Sequence, residues 1–358
     1  VEGGAVTGAV QVIAPHPFNP DILFIGSVNG GIWRTVSATS PSPHWEPLSD
    51  HLPSLSIMSL TLSTRDRFGA EVNVTTPADD LVIYAGSGRT SSYRSEGGDE
   101  IGLLKSTDGG RSWLVLDTIS LPSSSVPRIS LKNNAITGIL VEPSSSGPDH
   151  DVVLVATSGY LPASRVEEIN DGGLYRSADG GRSFGAVGLP GAVQIVGAVK
   201  VGNLVEFTVV GSLGDLGVGR PIVIEGNSST SSLDGKHTVV GIGVSKFSIR
   251  ASTLKHVVNL VGDGTVSAGG DITSLTRSGT TVYAAATGVG IFKSTDFGLT
   301  WIAVNGAGTD AIDTADGWKV LLSAHDESTV YATVIANRAP LALPASMGAK
   351  TVTCLLYT

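Results

Sequence analysis

Short apolar runs of four to eight residues, rich in Val and Ile, recur along the chain, with Gly, Asp, Ser and Pro between them. Runs of that length, bounded by turn residues, predict strands and not helices. They fall into units of four. The first unit, within 5–50, predicts strands at Ala9–Ala14, Ile22–Ser27, Gly31–Thr35 and Trp45–Leu48. The second, within 56–118, predicts Met58–Leu62, Leu81–Gly86, Gly102–Ser106 and Ser112–Leu116. The third, within 135–188, predicts Ile136–Val141, Val152–Thr157, Gly173–Ser177 and Ser183–Val187. A fourth, within 271–305, predicts Ile272–Arg277, Thr281–Ala286, Gly290–Ser294 and Thr300–Val304; a fifth begins at Trp318–Ser323 and Thr329–Val334 and then loses the pattern.

Three of these units carry one phrase at the same place, between the third and fourth strands. Ser106-Thr-Asp108-Gly-Gly110-Arg-Ser-Trp113, Ser177-Ala-Asp179-Gly-Gly181-Arg-Ser-Phe184 and Ser294-Thr-Asp296-Phe-Gly298-Leu-Thr-Trp301 align without gaps. Four short strands per unit, repeated with a fixed turn, predict the blades of an all-β propeller. In the phrase, Asp accepts hydrogen bonds from its own turn, Gly permits positive φ, and the aromatic ring opens the fourth strand and packs between sheets. Ser106, Asp108, Gly110, Trp113, Ser177, Asp179, Gly181, Phe184, Ser294, Asp296, Gly298 and Trp301 are therefore expected to be structural. The first unit keeps the lead-in Ile32-Trp33-Arg34-Thr35 and has a Ser/Pro-rich loop where Asp-x-Gly would stand.

Asp108 and Asp179 are 71 residues apart, Asp179 and Asp296 117. The excess lies in 189–270. Strand-like alternation there, at Leu204–Val210, Pro221–Glu225, His237–Val244, Phe247–Ala251 and Val257–Val261, reads either as a small inserted β module or as a swollen loop with two hairpins. The expected division is thus blades one to three over 1–188, the module over 189–270, and blade four with a partial fifth over 271–358.

The repeated phrase resembles the Asp-box, or BNR, repeat of the sialidase superfamily, sortilin-type receptors and xyloglucanase-like enzymes. Pro17-Phe18-Asn19-Pro20-Asp21-Ile22-Leu23-Phe24-Ile25-Gly26 is similar to a stretch common in secreted bacterial BNR proteins. The resemblance covers 5–188 and 271–335. It implies boxes on the rim, away from the ligand face. It also supplies tests for catalysis. Sialidases carry an arginine in a Phe/Tyr-Arg-Ile-Pro motif; Val126-Pro127-Arg128-Ile129-Ser130 lacks the aromatic and the proline. Xyloglucanase-like enzymes carry an Asp in the first blade where this chain has Asn29, in Val28-Asn29-Gly30-Gly31. An amide is no general base. No catalytic residue is assigned.

A ligand, glycan or protein, is expected on the long connections between second and third strands. Gly86–Ile101 carries Arg89, Tyr93, Arg94 and Glu96; Gly159–Gly172 carries Tyr160, Arg165 and Glu168. Tyr, Arg and carboxylates suit binding surfaces. The resulting expectation is a non-catalytic extracellular or cell-surface scaffold or binding propeller. A glycoside hydrolase with its carboxylates on those loops and a peptide-binding sortilin-like propeller are the alternatives.

Composition narrows this further. Of 358 residues, 41% are hydrophobic and 15% charged, with 46 Gly and a net charge of -9. That suffices for a core and excludes a disordered chain. Without a Lys/Arg cluster the chain has no footprint for nucleic acid, and no apolar run reaches the roughly 20 residues of a membrane span. Cys354 stands alone and the seven His are scattered, so no metal or cofactor is expected. The start at Val1 leads to the expectation of a removed leader or an excerpt of a longer protein. Further blades from a longer chain, or self-association through open sheet edges, would then complete the propeller.

Overall fold

The computed structural model describes residues 9–88, 98–116, 118–119, 129–158, 172–189, 193–210, 221–225, 235–250, 265–268, 271–286, 290–304, 317–325 and 330–336. Among them every extended element is a strand and the only helical pieces are two 3₁₀ turns, Ala78–Asp80 and Pro148–His150. The first sheet orders β1 (Val10–Pro15), β2 (Leu23–Ser27), β3 (Gly31–Thr35) and β4 (Glu46–Pro47) in sequence. The second orders β5 (Ile57–Asp66), β6 (Leu81–Ser87), β7 (Leu103–Ser106) and β8 (Leu114–Leu116). A two-stranded ribbon follows, β9 (Thr118–Ile119) with β10 (Ile129–Ser130). The third four-stranded sheet runs β11 (Ala135–Glu142), β12 (Val152–Ser158), β13 (Gly173–Ser177) and β14 (Gly185–Ala186).

Strands β15 (Val193–Val201), β16 (Leu204–Val210), β17 (Pro221–Glu225), β18 (Gly235–Gly243), β19 (Lys246–Arg250) and β20 (Thr265–Ala268) close a separate barrel in the order β15-β16-β19-β18-β17-β20. Its interior is its own: Ile195, Val205, Phe207, Ile222, Val239, Phe247 and Ile249 are buried together, with Phe207 and Phe247 stacked at 4.9 Å. The hairpin alternative for this stretch is thereby replaced by a closed barrel. Closure depends on β15 and β20 (Val193↔Val266), neither of which the hydrophobic pattern marked as a strand. The fourth sheet is β21 (Ile272–Ser278), β22 (Thr281–Ala286), β23 (Gly290–Ser294) and β24 (Ile302–Ala303), and β25 (Gly317–Ala324) pairs with β26 (Val330–Ala336).

Contacts divide the chain into two compact units. The first holds the sheets β1–β4 and β5–β8, β11 and the turn after β13; the second holds β15–β26. In the first, consecutive sheets stack face to face as propeller blades. The second strand of a blade lies between its neighbours, so it is apolar on both faces; all seven residues of Leu81–Ser87 are buried. Small residues set the spacing. A Cβ on Gly26 would come within 2.5 Å of Ile57, and one on Gly86 equally close to Ile136, so each Gly admits the first strand of the next blade. Ser59 Oγ donates to the Ile136 carbonyl at 2.7 Å across the same contact. In the second unit the fourth sheet meets the fifth in a related way, Thr273 Oγ1 donating to the Val320 carbonyl at 2.7 Å. First strands carry a register shift near their start at Val10/Val12, Ile57/Ser59, Ile272/Ser274 and Gly317/Lys319. Such a bulge bends the strand toward its neighbour.

Gly86→Ala is expected to destabilise the protein by about 1–3 kcal/mol through overpacking. Adding Ile136→Val should recover part of that loss in a urea-denaturation cycle, because the two positions share one contact. Full additivity would show that Gly86 does not set the blade spacing.

Candidate functional site

Two ends of the third strand matter. At its start, a hydroxyl from the end of the second strand clamps the first residue of the third. Ser87 Oγ donates to the Gly102 carbonyl (3.0 Å) and accepts from the Gly102 amide (2.9 Å). Thr157 repeats this on Gly173, at 3.2 and 2.9 Å. Ser27 Oγ reaches the Gly31 carbonyl at 3.2 Å. The clamp closes the sheet whatever the length of the intervening loop, from Val28–Gly30 in the first blade to 88–101 in the second.

Around that end in the first unit lies a polar cluster. Asn29, at φ 62°, projects from the first-blade loop. Its Oδ1 accepts from Ser56 Oγ at 2.5 Å and from the Gly98 amide at 3.2 Å. Ser56 Oγ also accepts from Gly98 at 2.7 Å, and the Glu100 carbonyl accepts from Asn133 at 2.9 Å. Glu100 and Asn134 are buried. Asn29 thus pins the base of the second-blade loop, a task that needs only an acceptor oxygen. Arg89, Tyr93, Arg94, Glu96, Tyr160, Arg165 and Glu168 lie outside the described residues. Among the described residues no group of three or more His, Cys, Asp or Glu is placed to hold a metal.

At the other end of the third strand, the three Ser-x-Asp-x-Gly turns share one set of hydrogen bonds. Asp108 Oδ1 accepts from Ser106 Oγ (2.8 Å) and the Ser112 amide (2.9 Å), and Oδ2 accepts from Ser112 Oγ (2.5 Å). Asp179 makes the same three bonds with Ser177 and Ser183, and Asp296 with Ser294 and Thr300. The Ser at the head of each turn also accepts from the second Gly at 2.8 Å, at Gly110, Gly181 and Gly298. Partial burial works against each Asp charge, but the donors outweigh it, so all three carboxyls sit below the ordinary value, Asp296 at about 2. Phe184 and Trp301 are buried, and Trp113 donates Nε1–H to the Leu48 carbonyl at 3.0 Å.

These turns also lock blades together, through residues that pattern reading passed over. Arg34 of the first blade is buried and donates to the Gly109 carbonyl (3.2 Å), Asp79 (2.7 Å) and Glu46 (2.7 Å). Lys105 occupies the same position in the second blade. Its ammonium donates to the Gly180 and Pro148 carbonyls at 3.0 and 2.7 Å and stands 3.5 Å from Asp149. Gly109 and Gly180 are equivalent, as are Asp79 and Asp149, each in a 3₁₀ turn before a second strand. Each Asp also holds the Arg of its turn, Arg111–Asp79 at 2.5 Å and Arg182–Asp149 at 2.6 Å. Burial works against the charge of Arg34, but the bonds to Glu46 and Asp79 hold its pKa above the ordinary value; at Lys105 burial wins and the pKa falls. Below Lys105, Asp151 accepts from Tyr84 Oη at 3.1 Å and the Ser144 amide at 2.8 Å, and its carboxyl is raised by burial. The sequence signal for this latch was a basic residue before each turn, at Arg34, Lys105, Arg176 and Lys293.

No family model matches the chain, and no curated protein matches it. Solved structures align along most of its length at low identity. The GH74 enzyme of Niastella koreensis is 13% identical over 87% of this chain and 42% of its own, at a TM-score of 0.31. YCF48 bound to D1 peptide is 11% identical over 91% and 75%, at 0.32. PorZ of Porphyromonas gingivalis, a surface component of the type-IX secretion system, is 11% identical over 90% and 37%, at 0.33. The chain spans less than two thirds of the length of the GH74 enzymes. Likeness at these TM-scores carries no functional argument, so function is argued from the chain's own residues.

Two measurements test the turns and the latch. Asp296 falls from 3.8 to about 2 on folding. A lowered carboxyl contributes stability that is fully present above its ordinary value and is lost as pH falls through the folded value. Asp296→Asn should therefore flatten the fall in urea midpoint between about pH 4 and 2. Asp151, raised by burial, acts with the opposite sign as pH climbs above the ordinary carboxylate value. Lys105→Met should cost about 2 kcal/mol in denaturation experiments, because the Gly180 and Pro148 carbonyls lose their donor; an unchanged midpoint would count against the latch.

Proposed function

We propose that the chain is an Asp-box (BNR) propeller that acts without catalysis, as an extracellular or cell-surface scaffold or binding module for a glycan or protein. The single observation behind this reading is the saturation of the turn carboxylates. Each Asp of the three turns accepts donors from its own turn on both oxygens. A low-pKa carboxylate that already accepts from its own turn on both oxygens is neither a general acid nor a free base at neutral pH. The boxes are then structural, and any ligand is met by the loops at the opposite end of the third strand. Asn29 supports the same view, since its oxygen is committed to Ser56 and Gly98.

The first test is a glycan-array screen run beside an assay for release of reducing sugar. Binding without release is the expected outcome, and Arg94→Ala with Tyr160→Ala should weaken it by about tenfold, as for central interface residues. Release of sugar abolished by Glu96→Gln or Glu168→Gln would overturn the non-catalytic reading. Capture of peptides instead of glycans, in a parallel peptide array, would assign the ligand to the protein class.

A further inference from the structure

The two latches of the first unit differ in one respect. At the first, two cations, Arg34 and Arg111, meet two carboxylates, Glu46 and Asp79. Glu46 comes from the fourth strand, directly across from Arg34 in the β3–β4 register. At the second latch the residue in that register, across from Lys105, is Leu114, which is exposed. Among the described residues Lys105 and Arg182 therefore share Asp149 at the surface. Among the described residues Asp151 also lies by Lys105, but it is 1% exposed and turned to Tyr84 and Ser144 beneath. Above Lys105 lies a cleft of about 260 Å³. Lys105, Arg182, Asp149, Thr107 and Ser112 are its polar lining and Trp113, Leu114 and Leu116 its apolar lining.

We propose that this cleft binds a glutamate side chain of a partner polypeptide, its carboxylate on the Arg182 guanidinium and its methylenes on Leu114 and Leu116. The chain itself supplies the template: at the first latch Glu46 brings a carboxylate to Arg34, at 2.7 Å, from the position that Leu114 holds at the second. Arg182 is 63% exposed and so reachable from solvent, while Lys105 is 5% exposed and engaged with the Gly180 and Pro148 carbonyls. A bare anion would leave the two leucines wet, and an apolar side chain would leave the exposed Arg182 with the carboxylate that it shares with Lys105. A short aliphatic stem ending in a carboxylate satisfies both. The site is at the opposite end of the third strand from the long loops, so it stands or falls independently of the ligand proposed there.

The test is an amide chemical-shift titration of the full chain with acetyl-Gly-Glu-Gly-amide, its Gln counterpart and glucuronate. The Glu peptide should shift the amides of Ser112, Asp149, Gly180 and Arg182, and the Gln peptide should not. Arg182→Gln should weaken binding about tenfold, the loss of one charge-assisted hydrogen bond. Leu114→Glu, which installs the internal carboxylate of the first latch at an exposed position, should abolish the shifts without lowering the melting temperature. Equal shifts from the Gln peptide, shifts that survive Leu114→Glu, or no shifts from the Glu peptide at millimolar concentration would overturn the proposal. Stronger shifts from glucuronate than from the Glu peptide would overturn the assignment to a polypeptide.

Discussion

The carbonyl of a single glycine organises much of the first unit. The turn after each third strand must place its first Gly, Gly109 or Gly180, at φ of 67° or 69°. There its carbonyl faces the buried cation of the preceding blade. The Gly amide meanwhile donates into the neighbouring segment, to Leu81 and Asp151 carbonyls at 3.1 and 2.9 Å. A side chain has no room, since a Cβ would strike the Ala78 or Pro148 carbonyl of the 3₁₀ turn. The Ser-x-Asp bonds hold the turn in the conformation that delivers this carbonyl, which joins the carboxylates and the Pro148 carbonyl as a partner of the buried cation. A buried ammonium or guanidinium without such partners would cost several kcal/mol.

The fourth blade supports that dependence by lacking it. Its turn keeps Ser294, Asp296 and Gly298 with the full set of hydrogen bonds, but Phe297 stands where Gly109 and Gly180 stand and Leu299 where Arg111 and Arg182 stand. Phe297 is at φ 51°, costly for an aromatic residue. No 3₁₀ turn precedes β22; the hairpin Ser278–Thr281 is short and carries no Asp. With no acidic turn to approach, the glycine is not required, and the ring is buried instead beneath Arg277 at 5.8 Å. The Asp-centred hydrogen bonds and the latch are thus separable: the former appear in all three turns, the latter only where Gly, Arg and the acidic 3₁₀ turn occur together.

This separation explains what could be read from the chain alone. Strand order within blades and the turn residues are local, set by alternation and by bonds spanning two to four positions, so both were legible. The latch joins Arg34 to Gly109 and Lys105 to Gly180, each 75 positions away, and no local pattern announces it. Asp79 and Asp149 looked like ordinary loop carboxylates because their partners are a blade apart. Four strands of the barrel were legible by alternation, but its closure was not, because it rests on β15 meeting β20 across the whole insertion. The clamp that closes the second-to-third connections is a single Ser or Thr, indistinguishable in sequence from a turn residue.

The two latches solve one electrostatic problem differently. Arg34 receives its second carboxylate from Glu46 on its own blade, at the surface and in direct register. Lys105 has its additional carboxylate in Asp151, buried with Tyr84 where the first and second blades place Phe24 and Leu81. Moving the negative charge inward raises the Asp151 carboxyl and lowers the Lys105 ammonium, both from burial, so each is held less firmly in its charged form. It also clears the outer side of the cation, where Glu46 lies in the first latch. A pair built for rigidity alone would favour the surface arrangement, which avoids the desolvation of two charges. The buried arrangement leaves Leu114, across from Lys105, exposed where the first latch has Glu46.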